Sequence, residues 1–251
     1  MNLAALDFSI IAPAFAAGLL VTATHVPLGF QVLQRGIVFI DLAVAQIAAL
    51  GVLAAHLFGW EPQGWAMQAL ALGAALCGAL LLTWTEKRWS DIQEAVIGVL
   101  FVLAASGAVL LVSGNPHGGE HLQDLLAGQI LWVSPSRLPF DALIYGALIG
   151  AWSGLGEKLG RMGFYALFAV AVTVSVQLVG LYLVFATLVI PAIATRRLVG
   201  KRRLFAGYAL GAASYAVGLT VSALFDLPAG ALIVWILALL GVGVLAYASA
   251  P

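Results

Sequence analysis

His117, Glu120 and His121 place two imidazoles and a carboxylate within five residues of a 251-residue chain that has four histidines in all. His117 and His121 stand at i, i+4 and would share one face of a helix, although Gly118 and Gly119 between them disfavour a regular one. Such a donor set suits zinc, copper or nickel; a hard calcium site would want more oxygens. A solvated polar loop is the plain alternative for the same residues. Asp41 is the second candidate, a carboxylate in the apolar run IVFIDLAVAQIAALGV, where a charge is costly unless it is paired or functional. Nearby Arg35 is the obvious structural partner. Gln46 in the same run offers a carbonyl oxygen to an ion or, more simply, a hydrogen bond to a neighbouring helix. His25 beside Pro27, His56 with Glu61, and Asp226 in the turn FDLPAG read as groups near span ends, with Asp226 suited to capping the last helix. Cys77 is the single cysteine, so neither a disulfide framework nor a thiolate cluster is available. No HExxH, no Ser/His dyad and no GxxxxGK[ST] phosphate loop occurs, and the chain is read as non-enzymatic.

The elements that position these residues must be membrane spans and the loops that join them. The composition is 63% hydrophobic and 9% charged, with a mean hydropathy of +1.08, which leaves no separate soluble domain. Residues 1–251 are therefore expected to form a single transmembrane domain. A formal net charge of zero gives no reason to invoke nucleic acid. The N-terminus lacks a basic region ahead of its apolar stretch and carries Asp7, so the first helix is expected to be retained. Apolar runs bounded by charges or Pro/Gly turns predict an all-α, polytopic integral membrane protein. It has about nine helices, near 8–26, 37–57, 65–84, 95–113, 139–156, 164–179, 182–195, 204–224 and 229–248.

One run decides the topology. Phe164 to Thr195 is 32 residues without a charge. At ~1.5 Å per residue it would be roughly 48 Å long, too much for a bilayer core of ~30 Å. It should break at Gly180 into two short helices, the second bent by Pro191. With that break, and with the N-terminus outside, ten of the 11 basic residues fall in cytoplasmic loops; only Arg137 lies outside. The loop 115–139 is then extracytoplasmic, and Leu122, Leu125, Leu126 and Ile130 within it have the spacing of a short amphipathic surface helix. Trp60, Trp65, Trp84, Trp89, Trp132 and Trp152 mostly fall near span ends, as an interfacial belt does.

Three ordered blocks carry a resemblance: HVPLGFQVLQRGIVFIDLAVAQIAALGV from His25 to Val52, VQLVGLYLVFATLVIPAIATRR from Val176 to Arg197, and GLTVSALFDLPAGALIV from Gly218 to Val234. Together with EAVIGVLF from Glu94 to Phe101, they resemble the permease subunit of the zinc/manganese-type ABC importers, which is related in fold to the iron-siderophore and cobalamin permeases. The resemblance implies a multi-pass permease of the inner or plasma membrane, paired or homodimeric. Its implied partners are a cytoplasmic ABC ATPase and an extracytoplasmic metal-binding protein. Zinc or manganese is the implied cargo, and no resident cofactor is expected. Two departures stand out. The family's Asp-x-x-x-His pair on the second helix falls on Leu42 and Gln46 here, with Asp41 one residue earlier. The cytoplasmic loop taken as the coupling segment is only GLGEKLGRMG, where Glu157, Lys158 and Arg161 are the candidates for docking an ATPase. An ion-coupled secondary transporter is the alternative, with Asp41 as the one clear intramembrane acid.

Overall fold

In a computed structural model, residues 8–57, 65–112, 126, 128, 130–155 and 160–248 are described. Those residues form nine α-helices and no strand: α1 Phe8–Arg35, α2 Ile40–Leu57, α3 Trp65–Arg88, α4 Gln93–Val112, α5 Leu138–Leu155, α6 Gly160–Val179, α7 Leu181–Ala194, α8 Gly200–Phe225 and α9 Ala229–Tyr247. Short 3-10 turns at Ser90–Ile92 and Ile130–Trp132 lead toward α4 and α5. Six helices are long and apolar enough to cross a bilayer; α7 is a shorter apolar helix. Of the surface segment expected around Leu122–Ile130, Leu126, Gly128 and Ile130 are described; Leu126 is helical and half-buried against the core and Ile130 is buried within it, so these two residues pack into the bundle and do not lie on its surface.

The break at Gly180 is observed. α6 ends at Val179 and α7 begins at Leu181, with Gly180 at φ 88°, a backbone region closed to most side chains. The chain reverses there. Phe164, near the start of α6, stacks under the Arg35 guanidinium at the end of α1, at 4.1 Å. Beyond the break, Leu188 and Ala192 of α7 return to the same half of α1, against Gly29. The approach at Gly29 is so close that a Cβ there would overlap the Leu188 carbonyl, which makes glycine the residue that lets α1 and α7 touch backbone to backbone.

Cross-helix contacts fix the two ends of the bundle. Arg161 on α6 reaches Glu86 on α3 at 3.7 Å, and Arg203 on α8 lies 4.1 Å over Phe30 on α1. These join Arg35, Lys87, Arg88, Arg161 and the Arg196–Arg203 cluster at one end. Arg137 stands at the other, paired with Asp141 in the first turn of α5. The basic end is the cytoplasmic one. α6 is the central helix, with 67% of its most apolar 18-residue window buried, whereas α4 has 17% and turns Val99, Val102, Leu103 and Leu110 away from the bundle.

α1 departs from the expected span. It runs nine residues past position 26, through Pro13 and Pro27. Proline removes a donor N–H and leaves the carbonyl four residues earlier without its helical partner. For Pro27 that carbonyl belongs to Ala23, and the Tyr208 hydroxyl of α8 donates to it at 3.2 Å. The open carbonyl is thereby satisfied from a neighbouring helix.

Candidate translocation site

The functional interest of an apolar bundle lies in the polar groups it buries. On α1, Gly18, Thr22, His25 and Gly29 form one stripe, all buried. Gly18 meets the Tyr215 ring, Thr22 meets Gly211, and Gly29 meets α7. His25 therefore sits on the seam facing α7 and α8, fully buried and ten residues before the end of α1, and not at the span end that was expected near position 26. Its Nδ1 lies 3.1 Å from the Val21 carbonyl and 3.0 Å from the Thr24 hydroxyl, which itself donates to Val21 at 3.1 Å. Donation by Nδ1–H to the carbonyl leaves Nε2 as an acceptor, and that atom has no partner. A few residues outward, Thr187 donates to the Leu183 carbonyl at 2.7 Å and accepts from the Tyr215 hydroxyl at 3.1 Å. The period-3.5 spacing of small and polar residues was the signal for this seam.

α2 carries the two intramembrane candidates. Asp41 lies in its first turn, fully buried, and neither carboxylate oxygen has a hydrogen-bond partner. Arg35 does not serve it; its guanidinium is on Phe164. Beside the start of α2, the Phe39 N–H donates to Glu94 of α4 at 3.3 Å. Gln46 is buried a turn and a half further along the helix. At 100° per residue, five positions put Gln46 about 140° around the helix from Asp41, so the two face different neighbours and do not make an i, i+4 pair. α2 packs between α3 and α4 and touches α6 and α7, so its polar groups lie inside the bundle.

The remaining candidates divide by position. His117, Glu120 and His121 lie outside the described residues, as do Glu157 and Lys158. Arg161 is exposed in the first turn of α6 and already pairs with Glu86. Among the described residues, no three His, Cys, Asp or Glu side chains converge as a metal site would require. Asp226 closes α8 in the left-handed conformation at φ 53°, its N–H on Ser222; the N-cap of α9 is Pro228, so Asp226 caps the helix before it and not the last one. Trp65, Trp84, Trp89 and Trp132 are exposed at helix ends, in keeping with an interfacial belt.

Asp141 was missed by the sequence reading. It falls at the start of a span, where an acid is commonly solvated, yet its side chain is 1% exposed. Arg137 Nε lies 3.5 Å from it, and neither carboxylate oxygen makes a hydrogen bond. The i, i+4 spacing of Arg137 and Asp141 was the available signal.

The sequence profile of the ABC 3 transport family matches residues 7–150 and 139–248. The chain belongs to that family. It is 24% identical over 244 residues to the high-affinity zinc uptake system membrane protein ZnuB of Haemophilus influenzae, covering 89% of this chain and 92% of that protein. It is 25% identical over 251 residues to an uncharacterized membrane protein of Synechocystis, covering 92% of this chain and 88% of the relative. Among solved structures, PsaBC from Streptococcus pneumoniae in complex with a Fab superposes with a TM-score of 0.75 at 20% identity, covering 95% of this chain and 91% of the other. A transporter described as of the metal-chelate ABC type, in an inward-facing conformation, gives 0.72 at 19% identity, with 94% and 85% covered. The all-α, polytopic fold is thus shared with ABC transporter subunits along nearly the full chain, and the protein is a multi-pass membrane permease of this family.

Proposed function

We propose that this chain is the transmembrane subunit of an ATP-driven importer for a divalent metal ion, zinc or manganese. The observation that carries the reading is the family match across almost the whole chain, joined to the zinc-uptake relative of nearly equal length. The chain has no phosphate loop of its own, so hydrolysis belongs to a separate cytoplasmic ATPase. Arg196, Arg197, Lys201 and Arg202 are exposed at the cytoplasmic end and, with Glu157, Lys158 and Arg161, offer that partner a charged docking face. On the outer side, an extracytoplasmic binding protein delivers the ion to His117, Glu120 and His121, whose imidazoles and carboxylate suit a borderline divalent metal. Within the bundle, Asp41 supplies a buried carboxyl oxygen and Gln46 an amide oxygen on a different face of α2. The pathway is completed by a second copy of the chain.

Vesicles reconstituted with the chain, its ATPase and its binding protein test this. Vanadate should stop uptake of radioactive zinc or manganese, and a protonophore should leave it intact. The opposite pattern would establish the ion-coupled secondary transporter instead. Running the two isotopes in competition decides between the metals.

A further inference from the structure

Between α3 and α5, on the outer half of the bundle, lies a cavity of about 710 Å³ that contains none of the metal-site candidates. Its size is within the ~300–1,000 Å³ of small-molecule sites. α6 forms its floor through Val170, Thr173 and Val174; Leu72 and Ile144 form its walls. Trp65 of α3 meets Phe140 of α5 edge to face at 5.7 Å across the rim, and both rings are exposed.

The polar groups are gathered at one place. Asp141, 1% exposed and without a hydrogen bond to either oxygen, lines the cavity beside Arg137, which is 39% exposed. The Thr173 hydroxyl, also buried and also without a partner, lines it from α6. Gln68 lies on the α3 side. A buried carboxylate that has an ion-pair partner but no hydrogen bond, and a buried hydroxyl without a partner, carry a free-energy cost that a bound donor would recover. A bare divalent ion fits poorly: the walls are aliphatic, and the one carboxylate among the described lining residues already has a guanidinium 3.5 Å away. The arrangement asks for a molecule with a cationic donor for Asp141 and Thr173, an anion for Arg137, and a hydrocarbon portion for the walls. Zwitterionic amine phospholipids have all three.

We infer that the α3–α5 cavity is a binding site for a phospholipid with an ethanolamine-type headgroup, its ammonium on Asp141 and its phosphate on Arg137. Trp65 and Phe140 then hold it at the depth where headgroup meets acyl chain, the level favoured by aromatic belts. The site does not depend on which ion the permease carries or on how transport is powered.

The full-length chain, purified in mild detergent from vesicles of equal phosphatidylethanolamine and phosphatidylglycerol, can be weighed intact with its bound lipid. One phosphatidylethanolamine per chain is expected, retained about tenfold over phosphatidylglycerol, the scale of one charge-assisted hydrogen bond. Asp141→Asn should bring that ratio to about one. Leu72→Trp, which fills the cavity without touching the charges, should remove the retained lipid altogether and keeps the proposal testable if the asparagine variant misfolds. Equal retention of the two lipids by the unaltered chain would overturn it. So would unchanged lipid in Leu72→Trp, or a lipid-free chain whose Trp65 face is protected by a second copy.

Discussion

Replacing Asp41 by Asn should make the protein more stable and a poorer transporter. The side chain is fully buried, neither oxygen is hydrogen-bonded, and the nearest basic residue in sequence, Arg35, is stacked on Phe164. Placing an aspartate at the centre of a membrane helix costs ~2.5–3.5 kcal/mol on the insertion scale. Asp41 is in the first turn of α2, where water and headgroups are closer, so about 2 kcal/mol is the fraction that an isosteric neutral amide should return. For a domain of this size that corresponds to a rise of about 4–8 °C in Tm. Thermal unfolding of the purified chain in detergent reads the first effect, and isotope uptake in reconstituted vesicles reads the second. Lost uptake together with a raised Tm would place the Asp41 carboxyl in the transport cycle. The reasoning fails if Asp41→Asn lowers Tm, because the carboxylate would then have a partner in the native assembly. It fails equally if Tm rises and uptake is untouched, because the cost would then have no functional return.

Three further outcomes rest on single contacts. Tyr208→Phe strips the donor from the Ala23 carbonyl that Pro27 leaves open, and should cost about 1–2 kcal/mol, a fall of roughly 2–8 °C in Tm. Gly29→Val drives a side chain into the Leu188 carbonyl, which cannot swing aside, and should cost about 3 kcal/mol, the upper end of overpacking; Gly73→Val, with open space at its Cβ position, should leave the yield of folded protein unchanged. In a Cys77→Ser background, Arg197→Cys should react with an impermeant thiol reagent from the cytoplasmic side only, and labelling from outside would refute the reversal at Gly180.

What the sequence made legible was whatever the bilayer itself dictates. Helix number and type follow from the apolar runs, and the helices among the described residues start and stop within a few residues of those expected, save at α1. The reversal at Gly180 was legible because two independent constraints, the length of a charge-free run and the sidedness of the basic residues, required it together. α1 was misjudged because Pro27 reads locally as a stop, whereas a proline inside a membrane helix is tolerated when a neighbour supplies the lost hydrogen bond. Tyr208 stands 181 positions away in the chain, and no local pattern links it to Pro27.

The candidate site was legible only in part, for the same reason. Asp41 and Gln46 announce themselves as polar residues in an apolar run, and both are buried. Whether they act together depends on helix phase, and five residues of separation put them on different faces. Asp141 shows the limit from the other side: at the start of an apolar run, an acid has the same sequence context whether it is bathed in headgroup water or enclosed by α3 and α6. Only the neighbouring helices distinguish the two. A membrane chain therefore states its polar residues openly and hides their company: Asp41, His25 and Asp141 are each legible as residues, and the helices that bury them are not.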